Sequence, residues 1–282
     1  MENLPKLDPI TNLSPRVTRI LGHNPSKFTL QGTNTYLIGT GSTRLLLDTG
    51  EGRPEWLASL KQALKDEDVR ISDVILTHWH GDHVGGVKDV LSLPNHSDVK
   101  VWKHTPDSNQ HPIPENKVFH TEGASLKAIH TPGHTTDHMC FLLPEENALF
   151  TGDNVLGHGT AVFEDLATYI KSLEKMSAIE GFEGRAYPAH GDVIEDGVAK
   201  VKEYISHRRE RENQILKVLE GGEGGEWGSM EIVKVVYKDY PESLWAPAEG
   251  GVKQVLKKLE GDGRVIEKGG KWKLGGEGKA AL

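Results

Sequence analysis

The chain of 282 residues is long enough for one large domain, or for a medium domain with a small appendage. Apolar residues make up 36% of it and charged residues 26%, the mix of a globular chain with an ordinary solvated surface, and no apolar stretch approaches the length of a bilayer span. The 33 Lys and Arg stand against 41 Asp and Glu, and the resulting net charge of −8 argues against a broad electrostatic grip on nucleic acid.

The opening stretch, "MENLPKLDPITNLSPRV", has neither a basic n-region nor an apolar h-region, and Pro5, Pro9 and Pro15 interrupt any amphipathic helix. The expected location is therefore the cytoplasm, with no membrane partner. Short runs rich in apolar and β-branched residues predict strands at Val17–Leu21, Thr35–Ile38 and Arg44–Leu47, with Gly39-Thr40-Gly41-Ser42 joining the last two as a hairpin. Leu45-Leu46-Leu47 does not alternate with polar residues, which predicts a strand buried on both faces. Pro54 opens a helix to about Lys65, with Trp56, Leu57, Leu60 and Leu64 at helical spacing. Further strands are expected at Val74–Leu76, Val99–Lys103, Leu126–His130, Met139–Leu143, Ala148–Phe150 and Arg185–Tyr187. Helices are expected at Asp165–Met176 and, along a seam of Val198, Val201, Ile205, Ile215 and Leu219, at Asp196–Leu219.

At "EGGEGGEWG" the texture changes, because its five glycines do not continue a helix cheaply. A domain boundary is expected there, separating a large domain over 1–220 from a small domain over 228–275 and a flexible tail, 276–282. The small domain reads as a helix around Met230–Tyr237, a helix around Gly251–Leu259 and a hairpin about Gly269-Gly270, the order of a winged helix. Cys140, the only cysteine, excludes an intrachain disulfide and a cysteine cage for zinc. Its apolar neighbours predict a buried small hydrophobe, with a catalytic role as the alternative.

The chemistry is concentrated in "THWHGDHVGG", Thr77 to Gly86, directly after a predicted strand. It places His78, His80, Asp82 and His83 within six positions. Imidazole and carboxylate are the ligands zinc accepts when thiolates are absent. Gly81, Gly85 and Gly86 are expected to let the backbone turn tightly around cations. The competing reading is a polar loop whose histidines merely form hydrogen bonds. Three further pieces each end a predicted strand: "HTPGH" presents His134, "FTGD" presents Asp153 and "YPAHGD" presents His190. Together they make seven ligands, three per metal and one bridging carboxylate, the composition of a two-metal hydrolytic site.

H-x-H-x-D-H followed by a lone His, an Asp and a last His resembles the metallo-β-lactamase superfamily. The segments "NPSKFTLQGTNTYLIGTG", "LLLDTGEG", "HTPGHTTDHM", "TGDNVLGHGTAVFEDL" and "EYISHRRERENQIL" carry the resemblance over most of the chain. They are similar to the β-lactamase-like protein 2 subgroup, whose animal members are endoribonucleases. They are more similar still to the fungal metallo-β-lactamase-type thioesterases of polyketide clusters. The resemblance implies an α+β fold, an αβ/βα sandwich of two mixed sheets covered by helices, with a winged-helix-like C-terminal domain. It implies one zinc ion on His78, His80 and His134, a second on Asp82, His83 and His190, and Asp153 between them; Mn2+ is the alternative metal. The family usually has P-G-H-G where this chain has Pro188-Ala189-His190-Gly191, so the alanine is expected to restrict the backbone beside His190.

The expected reaction is hydrolysis by a metal-bridging hydroxide, with Asp82 orienting the nucleophile and passing its proton to the leaving group. The favoured substrate is an acyl (polyketide) chain on an acyl-carrier-protein thioester. Single-stranded RNA is the alternative, and an inactive winged-helix nucleic-acid-binding protein is the third reading. His158, in the "GHG" form of the fungal group, is the candidate substrate-binding residue. Basic residues of the long helix suit an acidic carrier or an RNA backbone, or form a solvated face balanced by Glu203, Glu210 and Glu212. From Gly228 on, ten Lys and Arg against eight Asp and Glu make a small excess for a groove binder. A packing role beside the active-site cleft is expected for that domain.

Overall fold

The structure, a computed structural model, describes residues 4–94, 96, 98–221 and 225–275. The expected tail, 276–282, lies outside the described residues. The first sheet has seven strands in chain order: β1 (Ile10–Ser14), β2 (Val17–Leu21), β3 (Asn34–Ile38), β4 (Thr43–Leu47), then, after helix α1 (Pro54–Asp66), β5 (Arg70–Ile75). Short helices α2 (Gly81–Val84) and α3 (Val87–Leu91) precede β6 (Lys100–Lys103) and β7 (His111–Pro112). β1 to β4 pair antiparallel and β4 to β7 parallel. The change of direction follows from the connections: a four-residue loop joins β3 to β4, whereas α1 supplies the crossover that a parallel neighbour needs.

The second sheet holds β8 (Val118–Thr121), β9 (Ala124–His130), β10 (Met139–Leu143), β11 (Ala148–Gly152) and, after α4 (Leu166–Ser177), β12 (Ala186–Pro188). It is antiparallel except at β11/β12. The long helix α5 (Gly197–Glu220) follows.

Period-two alternation sorts the apolar residues into two layers. Leu45 and Leu47 of β4 point between the sheets and meet Tyr36, Ile38, Ile75, Phe141, Phe150 and Tyr187. Leu46 faces the other way, into Leu37, Leu60, Leu64 and Trp56 beneath α1 and α3. None of the three leucines is more than 2% exposed, as the unbroken run predicts. Each large apolar side chain buried in this way contributes about 1.5–3 kcal/mol. Tyr36, Phe150 and Tyr187 form a continuous aromatic contact, with centroids 5.0 Å and 4.9 Å apart. The indole N–H of Trp56 donates to Thr35 Oγ1 at 2.9 Å, so that its one polar group is not stranded in the core.

A second compact unit comprises Asp165–Ile170 and the chain from Glu203 onward. It contains β13 (Trp227–Gly228), α6 (Ser229–Val236), α7 (Trp245–Gly261), β14 (Val265–Lys268) and β15 (Lys271–Leu274), with the strands in the order β13-β15-β14. The helix–helix–hairpin order matches the winged-helix expectation. Gly269 and Gly270, both at positive φ (62° and 81°), make the tight turn of the wing. α7 starts six residues earlier than the sequence suggests, because Pro247 falls in its first turn, where no N–H is required. Within this unit Glu212 accepts from Lys258 at 2.7 Å. No helix among the described residues is long and apolar enough to cross a membrane.

Candidate metal centre

The loops following β5, β9, β11 and β12 bring seven side chains together in two groups: His78, His80, His134 and Asp153, and Asp82, His83 and His190. In each group one ligand atom per residue lies within 4.8 Å of the others. His78, His83, His134, Asp153 and His190 are buried, while His80 and Asp82 are half-buried. Asp153 lies between the groups. Its Oδ2 is 3.3 Å from His134 Nε2, and its Oδ1 is 3.2 Å from His190 Nε2 and 3.5 Å from His83 Nε2. Each group therefore faces its own carboxylate oxygen.

Outer partners determine which ring nitrogen is bare. His134 Nδ1–H donates to Val162 O at 2.8 Å and His83 Nδ1–H to Asp48 Oδ2 at 2.8 Å. Thr77 Oγ1–H donates to Asp48 Oδ2 at 2.9 Å, so the same oxygen accepts from His78 Nδ1–H, also at 2.9 Å. With Nδ1–H engaged by these partners, the three rings turn Nε2 inward, and His83 Nε2 is free to donate its lone pair once the ring's second proton has left. His78 Nε2 and His134 Nε2 then converge on His80 Nδ1 at 2.8 and 3.1 Å, three nitrogens with at most one proton among them. On the side of the other group, His83 Nε2 and the Asp153 Oδ1 that faces it are buried without a hydrogen-bond partner. Lone pairs gathered at such distances repel unless a cation lies among them, and imidazole with carboxylate is a donor set suited to zinc. The residues present fit a metal pair.

The charges point the same way. Burial, and then His83, push His78 well below the usual histidine value, so it is a neutral donor at physiological pH. Burial alone would lower His83 too, but Asp153, Asp48 and Asp82 outweigh it and hold the ring well above its usual value. Burial opposes ionisation of Asp153, yet His190, His83 and His134 keep its carboxyl well below the carboxylate range. Asp82 is likewise depressed, against its burial, by His83 and His190.

The glycines of the motif act differently from the expectation. None of Gly81, Gly85 and Gly86 has a positive φ. A Cβ on Gly85 would sit 2.6 Å from the Glu51 backbone, and one on Gly86 would sit 2.2 Å from Thr49 O and 2.4 Å from Trp56. Close packing, not turning, excludes side chains at those two positions, and Gly81 simply opens α2 with free space around it. Ala189 also departs from its expectation: it has no positive φ, and its N–H donates to Gly152 O at 3.1 Å. β3 anchors the same loop: Asn34 N–H donates to Ala189 O, its Nδ2 to Pro188 O and Gly191 O, and Tyr36 O–H to Pro188 O.

Sequence reasoning passed over the supporting residues. Asp48, Thr33 and His138 stand beside the group, with Thr33 Oγ1–H donating to Asp82 Oδ2 at 2.8 Å and His138 Nε2 accepting from Asp153 N–H at 3.0 Å. Asp48, at positive φ and 2% exposed, directly ends a buried strand; that position was the available signal.

The group opens on a cleft of ≈ 480 Å³. Phe28, Leu30, Leu156, Ala161 and Val162 give it an apolar wall, and His158 lines it from an exposed position. Cys140 is fully buried on β10 and stands outside the cleft.

A family model described as "Metallo-beta-lactamase superfamily" matches residues 28–183, and one described as "Beta-lactamase associated winged helix domain" matches residues 228–272. The chain is 46% identical to "Lactamase-like protein ptaB" of Pestalotiopsis fici, over 94% of this chain and 86% of that protein. It is 46% identical to "Atrochrysone carboxyl ACP thioesterase" of Aspergillus terreus, over 94% of this chain and 85% of that protein. A β-lactamase domain protein of Burkholderia ambifaria shares the fold at a TM-score of 0.77 and 15% identity, covering 94% of this chain and 93% of that one.

Proposed function

Because the chain belongs to the metallo-β-lactamase superfamily, with a β-lactamase-associated winged helix, we propose that its seven histidines and aspartates hold two zinc ions and hydrolyse an acyl thioester carried on an acyl-carrier protein. That it is a metal-dependent hydrolase follows from the family. The observation that carries the dinuclear reading is Asp153, with one carboxylate oxygen toward each group of ligands. No donor of either group is missing, which removes the ground for an inactive binding protein. The thioester is supported by relatives named as acyl-carrier-protein thioesterases and by the apolar wall of the cleft.

His78, His80 and His134 would hold one cation and Asp82, His83 and His190 the other, with Asp153 shared. Bound there, the pair supplies Lewis acidity that polarises the thioester carbonyl and makes water acidic enough to attack near neutral pH. The chain's own residues do the rest. Phe28, Leu30, Leu156, Ala161 and Val162 exclude water from the acyl chain. Asp82, with Oδ2 held by Thr33, orients the attacking water and passes its proton toward the leaving sulfur. A thiolate departs with little protonation, so no strong general acid is required. His158 contacts the substrate at the cleft mouth.

Zinc-loaded enzyme offered an acyl thioester and single-stranded RNA side by side, with His80→Ala as control, tests the proposal. Thioester release that disappears in the variant is expected. RNA cleavage without thioester release would overturn the substrate assignment.

A further inference from the structure

His138 lies four residues beyond His134, directly before β10, and takes no part in the ligand groups. It is fully buried. Its Nε2 accepts the backbone N–H of Asp153 at 3.0 Å, and an amide can only donate, so the ring proton sits on Nδ1. Nδ1–H is 3.1 Å from Thr131 Oγ1, whose own hydrogen goes to Cys140 Sγ at 3.2 Å. That chain of donors fixes one tautomer and one ring orientation. The ring also occupies the space beside Gly152: a Cβ there would lie 2.5 Å from His138 Nε2, and Gly152 is left-handed at φ +52°. At this corner the pairing of β11 with β12 changes register between Phe150 and Gly152, which turns the next residue out of the ladder.

We infer that His138 is a positioning residue for the metal pair, acting through the Asp153 backbone. By capping that amide and filling the Gly152 corner, it sets the carboxylate so that one oxygen reaches each ligand group. The inference rests on the reading of Asp153 as a shared metal ligand. By hydrogen bond His138 reaches the ligand groups at Asp153, and its ring also lies beside those of His78 and His134, with centroids 5.3 and 5.8 Å apart. The buried Cys140 thereby gains a role its apolar neighbourhood hides, as the sulfur that accepts the Thr131 proton.

Separate substitutions test the two nitrogens. Glutamine can place an acceptor where Nε2 stands, whereas asparagine reaches only the Nδ1 position. Zn2+ competition against a chromophoric chelator should show His138→Asn binding the more weakly held ion about 10–100-fold less tightly, the usual cost of losing an outer partner. His138→Gln should stay within about threefold of the unaltered protein on the same scale. Thr131→Val, which keeps the side-chain shape and exchanges the hydroxyl for a methyl, should weaken binding in the same direction, whereas Thr131→Ser, which keeps the hydroxyl, should not. The thermal midpoints of the metal-free forms supply the control. Affinities that simply follow those midpoints, or an asparagine variant that binds like the unaltered protein, would overturn the role of His138 and leave the metal site standing. If the unaltered chain took up no second ion, the dinuclear reading and this inference would fall together.

Discussion

Asp48 and His83 meet in a buried hydrogen bond of 2.8 Å, Nδ1–H donating to Oδ2, across 35 positions of sequence. The same carboxylate accepts from Thr77 through both its backbone N–H and its hydroxyl, at 2.8 and 2.9 Å. One acid thus orients His83 directly and His78 through Thr77. Asp48→Asn leaves one of those donors facing an amide N–H. The variant should lose about 3 kcal/mol in urea unfolding, the scale of breaking a buried charged pair. Zn2+ affinity should fall by about 10–100-fold.

Metal uptake should release protons. His83 is held well above its usual value by Asp153, Asp48 and Asp82 against the effect of burial, so in the metal-free chain it is charged at pH 7 and must lose its proton to bind. Calorimetry of Zn2+ binding at pH 7 in buffers of different ionisation enthalpy should return about one released proton from this ring, declining at higher pH. His78, already neutral, should add none.

The same shift sets a trend in stability. A group whose folded value is raised stabilises the fold below its unfolded value, about 6.5 for histidine, and that contribution is lost as pH rises through the folded value. Urea midpoints of the metal-free protein should therefore decline as pH climbs from about 6.5 upward, unless zinc is added. Asp82 and Asp153 are depressed, so their contribution is lost only as pH falls through their lowered values.

Phe28 is 64% exposed on the apolar wall of the cleft, an unfavourable place for a phenyl ring, with the Lys27 ammonium lying over it 4.8 Å from its centroid. Phe28→Ala should raise KM for a long-chain acyl thioester about fivefold, from roughly 1 kcal/mol of lost contact, with kcat nearly unchanged. An acetyl thioester, too short to reach the ring, should show no change.

Cys140 should be inert in the native state. Burial pushes its thiol up to about 12, and it is 0% exposed. A chromogenic disulfide reagent should register no thiol in the folded protein and one per chain in urea.

The seven clustered side chains were legible because each stands close after a short apolar strand, where residue type and neighbouring Gly or Pro survive in one dimension. Their supports were not. Thr33 reaches Asp82 across 49 positions, and Val162 O receives His134 across 28. Nothing in either local pattern marks the contact, which exists only once the sheets have packed. Edge strands were also missed: β1 alternates weakly and is only half-buried, and β7 is two exposed residues long. The buried strands β2, β4 and β10 were read within one residue, because dense apolar runs have few alternatives. The glycines misled for a physical reason. Close approach and positive φ both demand glycine, and a sequence records the demand without its cause.

Asn34 and Tyr36, on one sheet, tie down residues 188–191, on the end of the other, without any help from the ligand nitrogens. The loop bearing His190 is consequently moored before any ion arrives. An incoming cation spends little of its affinity on ordering backbone, since that entropy was surrendered when the two sheets closed on each other. Stripping the metals should leave the main chain of this corner where it stands, ready for refilling rather than for refolding.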